Sequence, residues 1–226
     1  MKALITELMP KLFSSYELMV LDFSKISENL PEYKNIKSFF EKSYLAKINP
    51  RLPENRQAFN DFFLDKSGKH YLISQYREDR IEMLRGSNIE KEGRTIHLGI
   101  DIFSKNLETI YAPCDSEIIS LGCEKGSHTF GHYIILRPDL NITNNYIFLG
   151  HLSKDLPKIG KVKKGQIIAK LGDYIDEENG GWSRHLHVQL LKNIPKNNSI
   201  PIGYSTKENL QKNIIKYPDP SFLVFN

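Results

Sequence analysis

Cysteine is almost missing from this 226-residue chain: only Cys114 and Cys123 occur. No C-x-x-C pair can be formed, which excludes a structural zinc built on thiolates. The two cysteines could face each other across a hairpin. Nothing else in the composition points to an oxidising compartment, so two buried free thiols are the expectation. Long apolar runs are also missing, and no stretch reaches the roughly 20 apolar residues of a membrane-spanning helix. Met1–Lys11 lacks the pattern of a secretory signal: Glu7 and Lys11 interrupt the apolar stretch and no small-residue cleavage site follows. The expected location is therefore cytoplasmic, with export by a non-standard route left open. Charge of one sign is lacking as well. The formal net charge is +4 and the lysines are scattered, which fits a mildly basic solvated surface and not a nucleic-acid partner. Nothing in the sequence sets an oligomeric state.

The length allows a core without disulfide staples, in one medium domain or one domain with an N-terminal extension. Residues 1–68 read as helical. Leu4, Ile5, Leu8, Met9, Leu12, Phe13 and Tyr16 fall at helical spacing around Pro10. Pro31 can open a second helix with Tyr33, Ile36, Phe40 and Tyr44 on one face. A third helix can follow Pro53, carrying Ala58, Phe59, Phe62 and Phe63. This extension is expected to pack on a domain spanning 69–226, or to cover part of its cleft. After the turn signal Ser67-Gly68-Lys69 the pattern becomes a series of short β-like runs. They lie near 70–74, 95–103, 109–112, 117–123, 132–137, 146–149, 166–171 and 185–191, punctuated by Gly, Pro, Asn and Asp. One later segment, around 207–215, invites a helix. Without βαβ alternation, the expected class is mainly β and antiparallel.

Histidine supplies the chemistry. His185 and His187 lie two apart in a strand-like run, so their side chains share a face at ~7 Å spacing. That suits a metal ligand beside a second catalytic group. His97 and Asp101 are four apart, and an ideal strand would hold their Cα atoms ~13 Å apart. If both serve one metal the chain must bend between them, and Gly99 is the residue that permits it. Two histidines and a carboxylate leave the fourth position of a zinc ion open for water, whose pKa falls to about 7. His151, at the end of the run Tyr146–Leu149, and the unused member of His185/His187 could handle protons and the oxyanion.

The segments His97-x-x-x-Asp101, Gly150-His151-Leu152-Ser153 and His185-x-His187, in this order, resemble the lysostaphin/LytM-type zinc endopeptidases, which cut peptide cross-links of bacterial cell walls. The likeness extends over residues 69 to 192 and includes Tyr111-Ala112-Pro113, Gly165–Ala169 and Glu178–Trp182. It is nearest to a branch without an export signal. The resemblance implies one Zn2+ per chain on His97, Asp101 and His187, with His151 and His185 as catalytic histidines whose roles remain undivided. It implies a duplicated-hybrid-motif-like antiparallel groove with zinc on its floor, loops as walls and Trp182 in one of them. The implied substrate is a peptide, in peptidoglycan cross-links or muropeptide-like fragments. His132 stands where many relatives carry Asn near the substrate. Two rival readings exist. One is a non-catalytic binding or regulatory module on the same fold. The other is a lipoyl- or biotinyl-type carrier suggested by Val162–Ala169, although Lys163 and Lys164 lack the flanking Met or Asp a carrier needs.

Overall fold

The computed structural model describes residues 18–20, 49, 51–139, 143–195 and 199–224. Among these, strands β1 (Leu18–Val20), β2 (Tyr71–Ile73), β4 (Ile100–Ser104), β6 (Ser116–Glu124), β7 (Gly131–Pro138), β8 (Tyr146–Leu152), β9 (Gly160–Val162) and β11 (His185–Leu191) form one eight-stranded sheet. Its order is β1-β2-β4-β11-β8-β7-β6-β9. Every neighbouring pair is antiparallel except β1 with β2. Two ribbons complete the strands: β5 (Thr109–Tyr111) with β10 (Ile167–Lys170), and β3 (Ile96–His97) with β12 (Tyr204–Ser205). The mainly β, antiparallel expectation holds.

Period-two alternation explains both the sheet and where its chemistry lies. Ile100 and Ile102 of β4, Leu186, Val188 and Leu190 of β11, Ile147 and Leu149 of β8, and Ile134 and Leu136 of β7 all belong to one buried cluster. The β5/β10 ribbon closes over that cluster with Ile110, Ala112, Ile168 and Ala169. The intervening residues of the same strands belong to the other face. There Tyr133, Ile135, Phe148 and Leu191 pack with Phe130 in a second, smaller cluster. Asp101, His185 and His187 fall at the intervening positions too. The apolar run of β11 therefore reads as continuous because it is buried on both faces, not because it lacks alternation.

The helical reading of residues 1–68 holds at α1 (Arg56–Ser67), which follows a short 3-10 turn at Pro53–Asn55. Gly68 ends α1 at φ +64, a left-handed cap that glycine adopts without a Cβ penalty, and its N–H donates to the Asp65 carbonyl. The helix packs against β2 and β4. The reading fails at Leu18–Val20, which is a strand paired in parallel with β2. The outer edge of β2 offers unpaired backbone groups, and an extended segment satisfies them. The two more N-terminal expected helices, Leu4–Tyr16 and the one opened by Pro31, lie outside the described residues.

Three further short helices, α2 (Ile81–Leu84), α3 (Asn88–Lys91) and α4 (Asp176–Asn179), sit in connections and are too brief to leave a periodic signature. The late helix is α5 (Leu210–Lys216), followed by α6 (Ser221–Val224). Both cysteines are free thiols; Cys114 is buried and Cys123 only partly so.

Candidate metal and catalytic site

The expected strand over 95–103 is broken where a bend was required. β3 ends at His97 and β4 begins at Ile100. β3 leaves the main sheet to pair with β12, His97 opposite Tyr204, while β4 pairs with β11, Asp101 opposite His187. Gly99 has a second reason to be glycine. A Cβ there would lie 2.4 Å from His187 Cε1 and 2.7 Å from its Nε2. The bend thus brings His97 over the sheet and leaves space for the ring of His187 beneath it.

His97, Asp101 and His187, the three expected ligands, converge and are all buried. His187 Nδ1 lies 2.8 Å from Asp101 Oδ1 and 3.2 Å from His97 Nε2, and His97 Nε2 lies 3.5 Å from Asp101 Oδ2. Donors around a tetrahedral zinc at the usual bond lengths are separated by about 3.3 Å, so the spacing suits that ion.

Protonation supports the same reading. The Gln189 side-chain amide donates to the Ile202 carbonyl and its Oε1 sits 2.9 Å from His187 Nε2. His187 Nε2 then donates to Gln189, and Nδ1 is the nitrogen that faces a carboxylate and a second imidazole. With both imidazoles neutral and His97 protonated at Nδ1, three lone pairs would face one point and suit a cation between them. Beyond the donors, the buried guanidinium of Arg80 donates to Asp101 Oδ2 at 2.7 Å and also pairs with Glu78. Arg80 occupies Oδ2 and so leaves Oδ1 as the oxygen facing His187. Burial opposes a charged Asp101, but the nearby His97 and Arg80 outweigh it and hold its carboxyl well below the usual range.

His185 and His151 stand beside this centre, their ring centroids 3.9 Å apart. They are held in one tautomer by the same device. His185 Nδ1 donates to the Ser183 carbonyl at 2.6 Å and His151 Nδ1 to the Asn179 carbonyl at 2.7 Å. Each therefore keeps an Nε2 lone pair. Burial pushes His185 down to about 4, against the pull of Asp101. Burial, together with the neighbouring His185 and His187, pushes His151 well below the ordinary imidazole range. Both rings are neutral bases at neutral pH. His151 adopts φ +61, uncommon away from glycine. Its backbone N–H donates to Phe130 and its carbonyl accepts from Gly172.

A cleft of about 570 Å³ opens over all five residues. Ile200–Tyr204 and the Leu84–Ile89 connection line it, with Phe130, His128 and Trp182. Trp182 is a wall, as expected. His132 is not among the lining residues; its ring lies in β7, paired with β8. Lys163, the carrier candidate, is ion-paired to Asp115.

Sequence reasoning missed Arg80, Gln189, His128 and Arg56. Gln189 was within reach, being two residues beyond His187 on the same strand face. Arg80 and Arg56 come from distant segments and carry no local signal.

Residues 95–200 match the family model described as peptidase family M23. No curated protein sequence matches the chain. Among solved structures, a zinc-containing peptidase from Vibrio cholerae is 26% identical over 43% of this chain and 27% of its own, with a TM-score of 0.35. The chain thus spans about a quarter of that protein's length. The catalytic domain of the antimicrobial peptidase lysostaphin from Staphylococcus simulans is 26% identical over 52% of this chain and 80% of its own, at a TM-score of 0.38. LytU is 22% identical over 58% and 81%, at 0.36.

Proposed function

With residues 95–200 forming a peptidase family M23 domain of the lysostaphin/LytM type, we propose that the chain is a zinc-dependent endopeptidase. We propose that it hydrolyses peptide bonds in peptidoglycan cross-links or in muropeptide-like peptides. The observation that carries this is the meeting of three groups able to ligate a metal, His97, Asp101 and His187, beside two neutral histidines in one cleft. These three would hold one zinc ion per chain. Bound there, zinc supplies a Lewis acid and a water acidic enough to ionise near neutral pH.

The chain's own residues provide the rest. His151 and His185 offer unprotonated Nε2 atoms, so either can take the proton that water must lose. That proton belongs on the departing amine nitrogen as the C–N bond breaks. The second imidazole can meet the developing oxyanion once its Nε2 carries a proton to donate. The two rings share tautomer and burial, so the geometry gives each both capacities. Gln189 keeps His187 in the binding tautomer, and Arg80 keeps Asp101 ionised and turned. No expected ligand is missing, so no observation favours the non-catalytic module.

The test is metal content and cleavage in the purified full chain. The wild type is expected to hold one zinc per chain and to cut a muropeptide dimer. His187→Ala is expected to lose the metal and at least about 1,000-fold in rate. A wild-type protein without zinc, or His187→Ala with unchanged cleavage, would overturn the reading.

A further inference from the structure

Beside the main cleft lies a second hollow of about 350 Å³, lined by Arg51, Met83, Arg85 and others. His128 and Trp182 line both spaces, as do Leu84, Gly86 and Ser87, and so stand in the partition between them. A peptide that extends from the cleft into the second hollow would pass this partition. Part of what holds it in place lies outside the family-matched segment. Arg56, in the first turn of α1, is buried, and its Nη1 donates to the Gly181 carbonyl. Its Nη2 lies 3.2 Å from His128 Nε2, and its guanidinium carbon sits 4.8 Å from the centroid of the Trp182 ring. One side chain therefore engages the backbone before Trp182, the face of Trp182 and the ring of His128.

We infer that Arg56 is a positioning residue that sets the Trp182–His128 partition and thereby how extended peptides bind in the cleft. The inference rests on the peptidase reading for its substrate, but its geometry is independent of it. A guanidinium suits the task because it is flat, always charged and able to stack on indole while donating in its own plane. The far end of the wall has its own anchor. Asn179 accepts from the Trp182 N–H, donates to the Trp182 carbonyl at 2.9 Å, and gives its backbone carbonyl to His151. Loss of Arg56 should thus free the Trp182 ring and leave His151 in place. The effect belongs to binding of long substrates and not to the chemical step.

Trp182 is the chain's sole tryptophan, so its fluorescence reports on the partition directly. In the full-length protein, Arg56→Met is expected to raise acrylamide quenching of Trp182. It should raise KM for a muropeptide dimer about ten-fold while leaving kcat, zinc content and KM for a short stem peptide unchanged. Arg56→Lys should fall between, because it keeps the charge and one donor. Should Arg56→Met not fold, Arg56→Gln, which keeps a donor for Gly181, is measured in the same way. Wild-type quenching in the variant would overturn the inference, as would raised quenching with an unchanged KM for the dimer. If the wild type cuts neither substrate, the peptidase reading fails separately. Quenching and the dimer's dissociation constant then decide on Arg56.

Discussion

Gly99 shows how much one missing methyl can decide. The bend between His97 and Asp101 was foreseeable from spacing, because a straight strand could not bring both to one ion. The closeness of His187 to that same glycine was not foreseeable, since the two lie far apart in sequence and meet only through the β4–β11 register. The substitution Gly99→Ala is expected to leave a folded protein. The His187 ring must then move by about 1 Å to restore ordinary contact, a displacement able to cost on the order of 100-fold in rate. Zinc affinity, read by chelator competition, should fall with kcat/KM, and the urea midpoint should fall with it, because the methyl also meets the Val188 carbonyl oxygen at 2.9 Å. Unchanged zinc affinity would show that the ring tolerates the methyl. The five site residues were legible as candidates because each one interrupts an apolar run, and the resemblance to the lysostaphin/LytM type divided them into ligands and catalytic histidines. Arg80 was not, since a counter-ion for Asp101 could be drawn from anywhere in the chain.

At the scale of the element, β11 carries the site on one face and the core on the other. Leu186 sits between His185 and His187 with no exposed surface and belongs to the main cluster. Leu186→Ala should cost about 2–5 kcal/mol of stability, as core truncations of this kind do. The adjacent histidines point away from the cavity it leaves. Urea unfolding should therefore register a large loss while zinc stoichiometry at low temperature remains one per chain. A variant that keeps its stability but loses zinc would contradict this division of labour. Most long strands were readable from alternation and punctuation. Two short ones, Gly160–Val162 and Tyr204–Ser205, were not, because they lie outside any apolar β-branched run and gain their pairing from tertiary neighbours.

At the scale of the molecule, α1 is built into the domain that follows it. Besides Arg56, its Gln57 accepts from the Arg184 N–H at 2.9 Å, just before β11. Its Asn60 donates to the Ser104 carbonyl, at the end of β4. Phe59, Phe63 and Leu64 are fully buried. Three such side chains are worth about 2 kcal/mol each, a sum that rivals the whole stability of an ordinary domain. Removal of residues 1–67 is expected to give a chain with no cooperative thermal transition above room temperature, despite an intact family-matched segment. A sharp melt from that truncation would show the helix to be dispensable. A sequence pattern that begins at residue 95 gives no hint of this dependence, because family motifs record chemistry and not its buttresses. The two-faced sheet has a further consequence. A one-residue slip of β11 against its neighbours would turn Leu186 and Val188 to the solvent groove and drive three polar side chains into oil. Such a misthreaded chain would be both sticky and inert, so soluble yield and specific activity should rise and fall together across variants of that strand.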